Sequence, residues 1–258
     1  MFPYFDVFGR IIGSYGLMAV VGILATSLYV FSVNKKRIKS DDLLHIILLS
    51  AIGAIVGATL MYAIVNLPAG IATFQKDGNW LNLFTFLFTG MVFYGGIIGG
   101  IAALVIYCKK YRISLKLVFG VVTPGIPLFH VFGRIGCFMA GCCWGIPVHW
   151  GIAFEHSPVA PNHVHLLPIQ LIEAAFNFLL FIGLHIFTTK SRSENRWRTF
   201  PLYVICYCIG RFTLEFFRGD TIRGVALLST SQWIALALFF PALYFFFRKS
   251  PSKSEHTA

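Results

Sequence analysis

Arg211, Glu215 and Arg218 stand at i, i+4 and i+7 in an otherwise apolar stretch, so a helix there carries all three on one face. Arg134 occupies a second apolar stretch, four residues after His130. Charged groups inside such stretches are costly and mark either a site or a buried pair. Counting Arg134 and Arg211 against Glu215 alone leaves an excess of positive charge. Guanidinium forks match a phosphodiester well. The sequence therefore predicts an anion site built by Arg134 and Arg211. A purely structural alternative pairs Glu215 with Arg211 inside one helix and sends Arg134 to the headgroups, but it does not explain Arg134.

The segment that follows Arg134 reads GRIGCFMAGCCWGIPVHWGIAFEHSPVAPNHVHLLPIQ. Glycines at 133, 136, 141 and 145 permit tight backbone turns near a ligand. His149, His156, His163 and His165 share this segment with Cys137, Cys142 and Cys143, but the spacing fits no standard Cys/His zinc pattern, and no metal is expected. A Cys137–Cys142 or Cys137–Cys143 disulfide and free buried thiols both remain open. Cys108, Cys206 and Cys208 read as small packing residues, and Glu173 as a brace for its own helix through Gln170. With neither a P-loop nor a dinucleotide fingerprint, no cofactor is expected.

The elements that must position these residues follow from composition. Of the 258 residues, 57% are apolar and 12% charged, against about 45–50% and about 25% in soluble domains. Seven apolar stretches emerge at 11–33, 43–66, 89–108, 117–140, 168–188, 199–217 and 231–247. Fifteen of the 21 Lys and Arg residues cluster after the first, third, fifth and seventh of them. By the positive-inside rule that face is cytoplasmic, with the N-terminus outside and the C-terminus inside. The predicted fold is an all-α polytopic membrane protein of seven transmembrane helices. It forms one membrane domain over 1–247, with an outer-face segment at 141–167 and a polar cytoplasmic tail at 248–258. The first stretch has Asp6 ahead of it, no basic leader and no small-residue cleavage site, so it reads as a retained span. The net charge of +11 is thereby a topology signal, and nucleic acid is not an expected partner.

Six short segments in order resemble the prolipoprotein diacylglyceryl transferases, the seven-helix membrane enzymes that begin bacterial lipoprotein maturation. Tyr15-Gly16-Leu17-Met18 resembles the family's YGLM, and Gly53 to Tyr62 its glycine-rich second span. Tyr94-Gly95-Gly96 resembles its HGG, and Gly133-Arg134-Ile135-Gly136 opens its signature. Pro168 to Ala174 resembles P-x-Q-L-Y-E-A, and Arg211-Phe212 through Arg218 resembles RF-x-x-EF-x-R.

The resemblance implies transfer of a diacylglyceryl group from phosphatidylglycerol to the lipobox cysteine of a prolipoprotein, with glycerol 1-phosphate leaving, in the bacterial cytoplasmic membrane. Arg134 and Arg211 would hold the phosphate, Glu215 would orient Arg211, and Tyr94 would stand at the catalytic position. Tyr15, Gly95, Gly96, Cys137, Gly145, Gln170 and Arg218 would line the substrate site. The departures are Tyr94 in place of the HGG histidine, and Cys137 and Cys142 in place of the signature asparagine and glutamate. Since a neutral tyrosine is a poor base at pH 7, they leave open a relative that uses another acceptor or binds phospholipid without turnover. A transporter or a membrane thiol redox protein is the more distant alternative.

Overall fold

The computed structural model describes residues 3–7, 9–220 and 227–248. The tail from 249 onward and Arg223 lie outside the described residues. The chain is mostly helical and separates into two compact units, one of residues 1–33 with 116–258 and one of residues 34–115.

In the first unit, an antiparallel hairpin of β1 (Tyr4–Val7) and β2 (Arg10–Gly13) precedes helix α1 (Ser14–Asn34). This corrects the first predicted span: Ile11 and Ile12 are strand residues, not helix. The turn is made by Gly9 at φ +76°, whose N–H donates to Asp6 Oδ1 at 2.8 Å, the left-handed backbone that glycine adopts without cost. Ser14 closes the hairpin onto α1, its Oγ donating to the Pro3 carbonyl at 3.1 Å. Helices α5 (Leu115–Val122) and α6 (Gly125–Ala140) form one apolar segment bent by 42°, with Pro124 at the break, where a missing N–H interrupts the helical ladder. The remaining helices of this unit are α7 (Ile169–Lys190), α8 (Thr199–Leu214) and α9 (Thr230–Phe247). Between α6 and α7 lies a second two-stranded sheet, β3 (Pro147–Ala153) and β4 (His165–Leu166), which the all-α prediction did not contain.

The second unit holds α2 (Ser40–Asp77), α3 (Trp80–Phe88) and α4 (Phe93–Lys110). Helix α2 runs eleven residues past the predicted 43–66 span and continues through Pro68. Membrane helices tolerate internal proline because neighbours satisfy the freed groups. Asn79 then caps α3 by accepting from the Leu81 N–H at 2.9 Å. Helices α2 and α4 touch backbone to backbone. A Cβ on Gly53 would lie 2.6 Å from the Gly99 carbonyl oxygen, and one on Gly57 would strike the Gly95 carbonyl. Such contacts hold helices together in lipid, where apolar burial supplies no drive. Gly57→Ala is expected to destabilise the fold by about 1–3 kcal/mol through overpacking. Gly183→Ala, whose added methyl meets nothing within 4 Å, serves as the neutral control. Thermal unfolding in detergent followed by circular dichroism separates the two.

The polarity of the surface is that of a membrane protein. Leu28, Ile64, Val65, Leu179 and Phe240 are all more than 60% exposed, while Gln170, Glu173, Asn177, Glu215 and Gln232 are buried. Five helices are individually long and apolar enough to cross a membrane, and the bent α5–α6 pair makes a sixth, among the described residues. The chain is a polytopic membrane protein.

Candidate active site

Helices α6, α7 and α8 each bring one charged side chain to a common point. Glu173, on α7, faces Arg134 of α6 and Arg211 of α8. Its Oε2 lies 2.6 Å from Arg134 Nε, and its Oε1 accepts from Arg211 Nη1 at 3.0 Å. One turn after Arg211, Glu215 approaches it from the start of a short 3₁₀ turn, Oε2 to Nη2 at 2.6 Å. The Arg134–Glu173 and Arg211–Glu215 contacts are close ion pairs whose angles are poor for hydrogen bonding. Ser231, at the start of α9, accepts from Arg211 Nη2 at 3.3 Å. The Glu173 and Glu215 side chains are 5% and 3% exposed, against 15% for Arg211 and 21% for Arg134.

Two guanidiniums therefore meet two carboxylates, and the predicted excess of positive charge is not there. Glu173, expected to brace its own helix, instead bridges the two arginines. Its backbone carbonyl meanwhile accepts from Asn177 Nδ2 at 2.8 Å. The signal that identifies it is in the sequence: Arg134, Glu173, Arg211 and Glu215 all lie in apolar spans, and buried charges need partners.

Arg218 does not continue the Arg211–Glu215 face. Helix α8 ends at Leu214, the 3₁₀ turn ends at Phe217, and Arg218 is extended at φ −80°, ψ 131°. It forms a bidentate pair with Asp220, Nε to Oδ1 at 2.9 Å and Nη2 to Oδ2 at 2.7 Å. Burial opposes its charge, but the hydrogen bonds to Asp220 outweigh that and raise the Arg218 pKa above its ordinary value.

Main-chain bonds hold Arg218 beside the outer segment. Ile146 N–H donates to the Phe217 carbonyl at 2.9 Å, Gly219 N–H to the Trp144 carbonyl at 2.9 Å, and Leu167 N–H to the Ile146 carbonyl at 2.9 Å. Gly145 is required at this crossing, because a Cβ would lie 2.5 Å from the Leu167 carbonyl oxygen. Gln170, fully buried, donates from Nε2 to the Cys142 carbonyl at 2.8 Å. Gly136 lets α1 approach so closely that its Cβ would stand 3.2 Å from the Tyr15 Cα.

Cys137, Cys142 and Cys143 are free thiols gathered in one place. Hydrogen bonds from Cys137 and Cys142, with the charges of Arg218 and Arg134, lower the Cys143 pKa below the usual thiol range.

Of the residues singled out from sequence, Arg134, Arg211 and Glu215 meet in one cluster, to which the structure adds Glu173. Cys137, Gly145, Gln170 and Arg218 belong to the turn and outer segment just described. Tyr94, Gly95 and Gly96 belong to the other unit, where Gly95 and Gly96 lie against α2.

The family model described as prolipoprotein diacylglyceryl transferase matches residues 4–248. The chain belongs to this family. A phosphatidylglycerol–prolipoprotein diacylglyceryl transferase from Clostridium tetani is 38% identical over 247 residues, covering 94% of this chain and 95% of the relative. One from Clostridium perfringens is 35% identical and covers 90% and 88%, and one from Bordetella bronchiseptica is 30% identical and covers 93% and 92%. As a prolipoprotein diacylglyceryl transferase family member, the chain is a membrane transferase, and its charged cluster lies on three helices that all fall inside the matched region.

Proposed function

We propose that this chain transfers the diacylglyceryl group of phosphatidylglycerol to the cysteine thiol of a prolipoprotein lipobox. In that reaction the thiolate sulfur forms a bond to the terminal glycerol carbon, the carbon–oxygen bond to phosphate breaks, and glycerol 1-phosphate leaves with the electron pair. The thiol proton passes to a base. The observation that carries the reading is the convergence of Arg134 and Arg211 on Glu173 within a largely buried cluster. Arg134 meets Glu173 through Nε, so its terminal nitrogens are the natural donors to phosphate oxygens. Arg211, held by Glu173, Glu215 and Ser231, would supply positive field close to the leaving group. Donors fixed in advance in a water-poor site stabilise developing charge by about 3–4 kcal/mol each.

Tyr15, Cys137, Gly145, Gln170 and Arg218 would line the substrate site, while Gly95 and Gly96 are assigned to substrate binding and Tyr94 to proton transfer from their motif alone. If α4 also spans, the chain crosses seven times, with its N-terminus outside and its C-terminus in the cytoplasm of a bacterial cell. The working partners are then phosphatidylglycerol, the lipobox segment and the surrounding lipid of the cytoplasmic membrane.

The test is mass spectrometry of a lipobox peptide incubated with the purified chain and phosphatidylglycerol. The expected product is a diacylglyceryl thioether, and its absence where a competent relative gives product overturns the proposal. For Tyr94→Phe, thioether formation is expected to slow about a hundredfold, the size of a general acid–base contribution. An unchanged rate would remove Tyr94 from proton transfer.

A further inference from the structure

The last turn of α6 and the residues just beyond it bring three sulfurs together. Gly141, at φ +72°, ends the helix, and its N–H donates back to the Cys137 and Phe138 carbonyls. Cys143 follows with φ +58°, a left-handed conformation unusual for a residue with a side chain. The chain thereby folds back on itself, and the Sγ atoms of Cys137, Cys142 and Cys143 all lie within 4.8 Å of one another. A metal bound to three thiolates at about 2.3 Å in a plane separates the sulfurs by about 4 Å, so small side-chain adjustments suffice. A disulfide, at about 2.05 Å, would join only two of the three.

Two further observations favour a cation. The sulfurs lie at a helix C-terminus, whose carbonyl ends attract positive charge. Cys137 is buried and Cys142 and Cys143 half-buried, which leaves an entry path and excludes most water.

We propose that Cys137, Cys142 and Cys143 form a three-coordinate site for a soft, thiophilic monovalent cation, with copper(I) the ion that fits. Thiolates select copper(I), zinc and iron–sulfur clusters, and a cluster takes four cysteine ligands where this site offers three. Structural zinc is almost always four-coordinate, and among the described residues no histidine or carboxylate joins the three sulfurs. Each thiol releases its proton to solvent as the sulfur–copper bond forms, and no electron is transferred. The site does not rest on the transferase reading.

The full-length chain, reduced and purified in detergent without oxygen, is loaded with copper(I), dialysed against a weak chelator and analysed for metal and protein. One copper per chain is expected, with sulfur-only three-coordination by X-ray absorption. Retained copper is expected to fall to less than about one tenth in Cys142→Ser and in Cys143→Ser, and to stay unchanged in Cys206→Ser. Circular dichroism checks that each variant folds. Copper retained equally by all variants, a coordination shell containing nitrogen, or retention of zinc in preference to copper would each overturn the assignment.

Discussion

Arg211→Ala is expected to lose both activity and fold stability. The side chain touches Glu173, Glu215 and Ser231, which come from three separate stretches of chain. Removing it takes a counter-ion from Glu215 and one of the two counter-ions from Glu173, whose side chains are 3% and 5% exposed. Removing one partner of a buried ion pair costs about 3–5 kcal/mol, and loss of the positive field at the leaving group should lower turnover by about 10²–10³-fold. Arg211→Lys keeps the charge but not the fork that spans two carboxylates, so it should recover part of the stability and little of the rate. Unfolding in detergent, read beside thioether formation, checks both effects. A variant that unfolds like the parent would show that the cluster does not hold α7 to α8.

Arg134→Ala should separate the two effects. Arg134 is more exposed, meets the cluster through Nε, and leaves Glu173 still paired with Arg211. The stability change is expected to be about 1 kcal/mol, the scale of a partly exposed pair. Turnover should nevertheless fall about 10²–10³-fold, because the lost donors are those assigned to the phosphate. The fall should lie in kcat more than in KM if these bonds strengthen as charge develops. A rate equal to that of the parent would end the assignment of Arg134 to the phosphate.

The arginines were legible in the sequence because a guanidinium in an apolar stretch has few reasons to be there. Glu173 carries the same signal, but Gln170, on its own helix, offers a nearer partner along the chain. Its bridging role depends on α7 placing it between Arg134 and Arg211, which is tertiary information. Arg218 departs from the face that helical spacing predicts because the backbone leaves the helix at Leu214. The N-terminal hairpin merged with the first span because Ile11 and Ile12 continue its apolar run, although Asp6 and Gly9 carried the turn signal. The three cysteines were legible as neighbours along the chain. Their meeting depends on the left-handed Cys143, which residue type does not announce.

The crossing of residues 144–146 with Leu167 and with residues 217–219 is made of main-chain groups. Amide bonds of this kind tolerate a change of side chain at Ile146, Leu167 or Phe217, provided the replacement keeps its N–H and its bulk. Gly145 and Gly219 are different, because a methyl group on either would meet a carbonyl oxygen. Sequence drift at this junction is therefore free at the bulky positions and forbidden at the smallest ones. A library randomised across these five positions should return variety at three of them and a single amino acid at the other two.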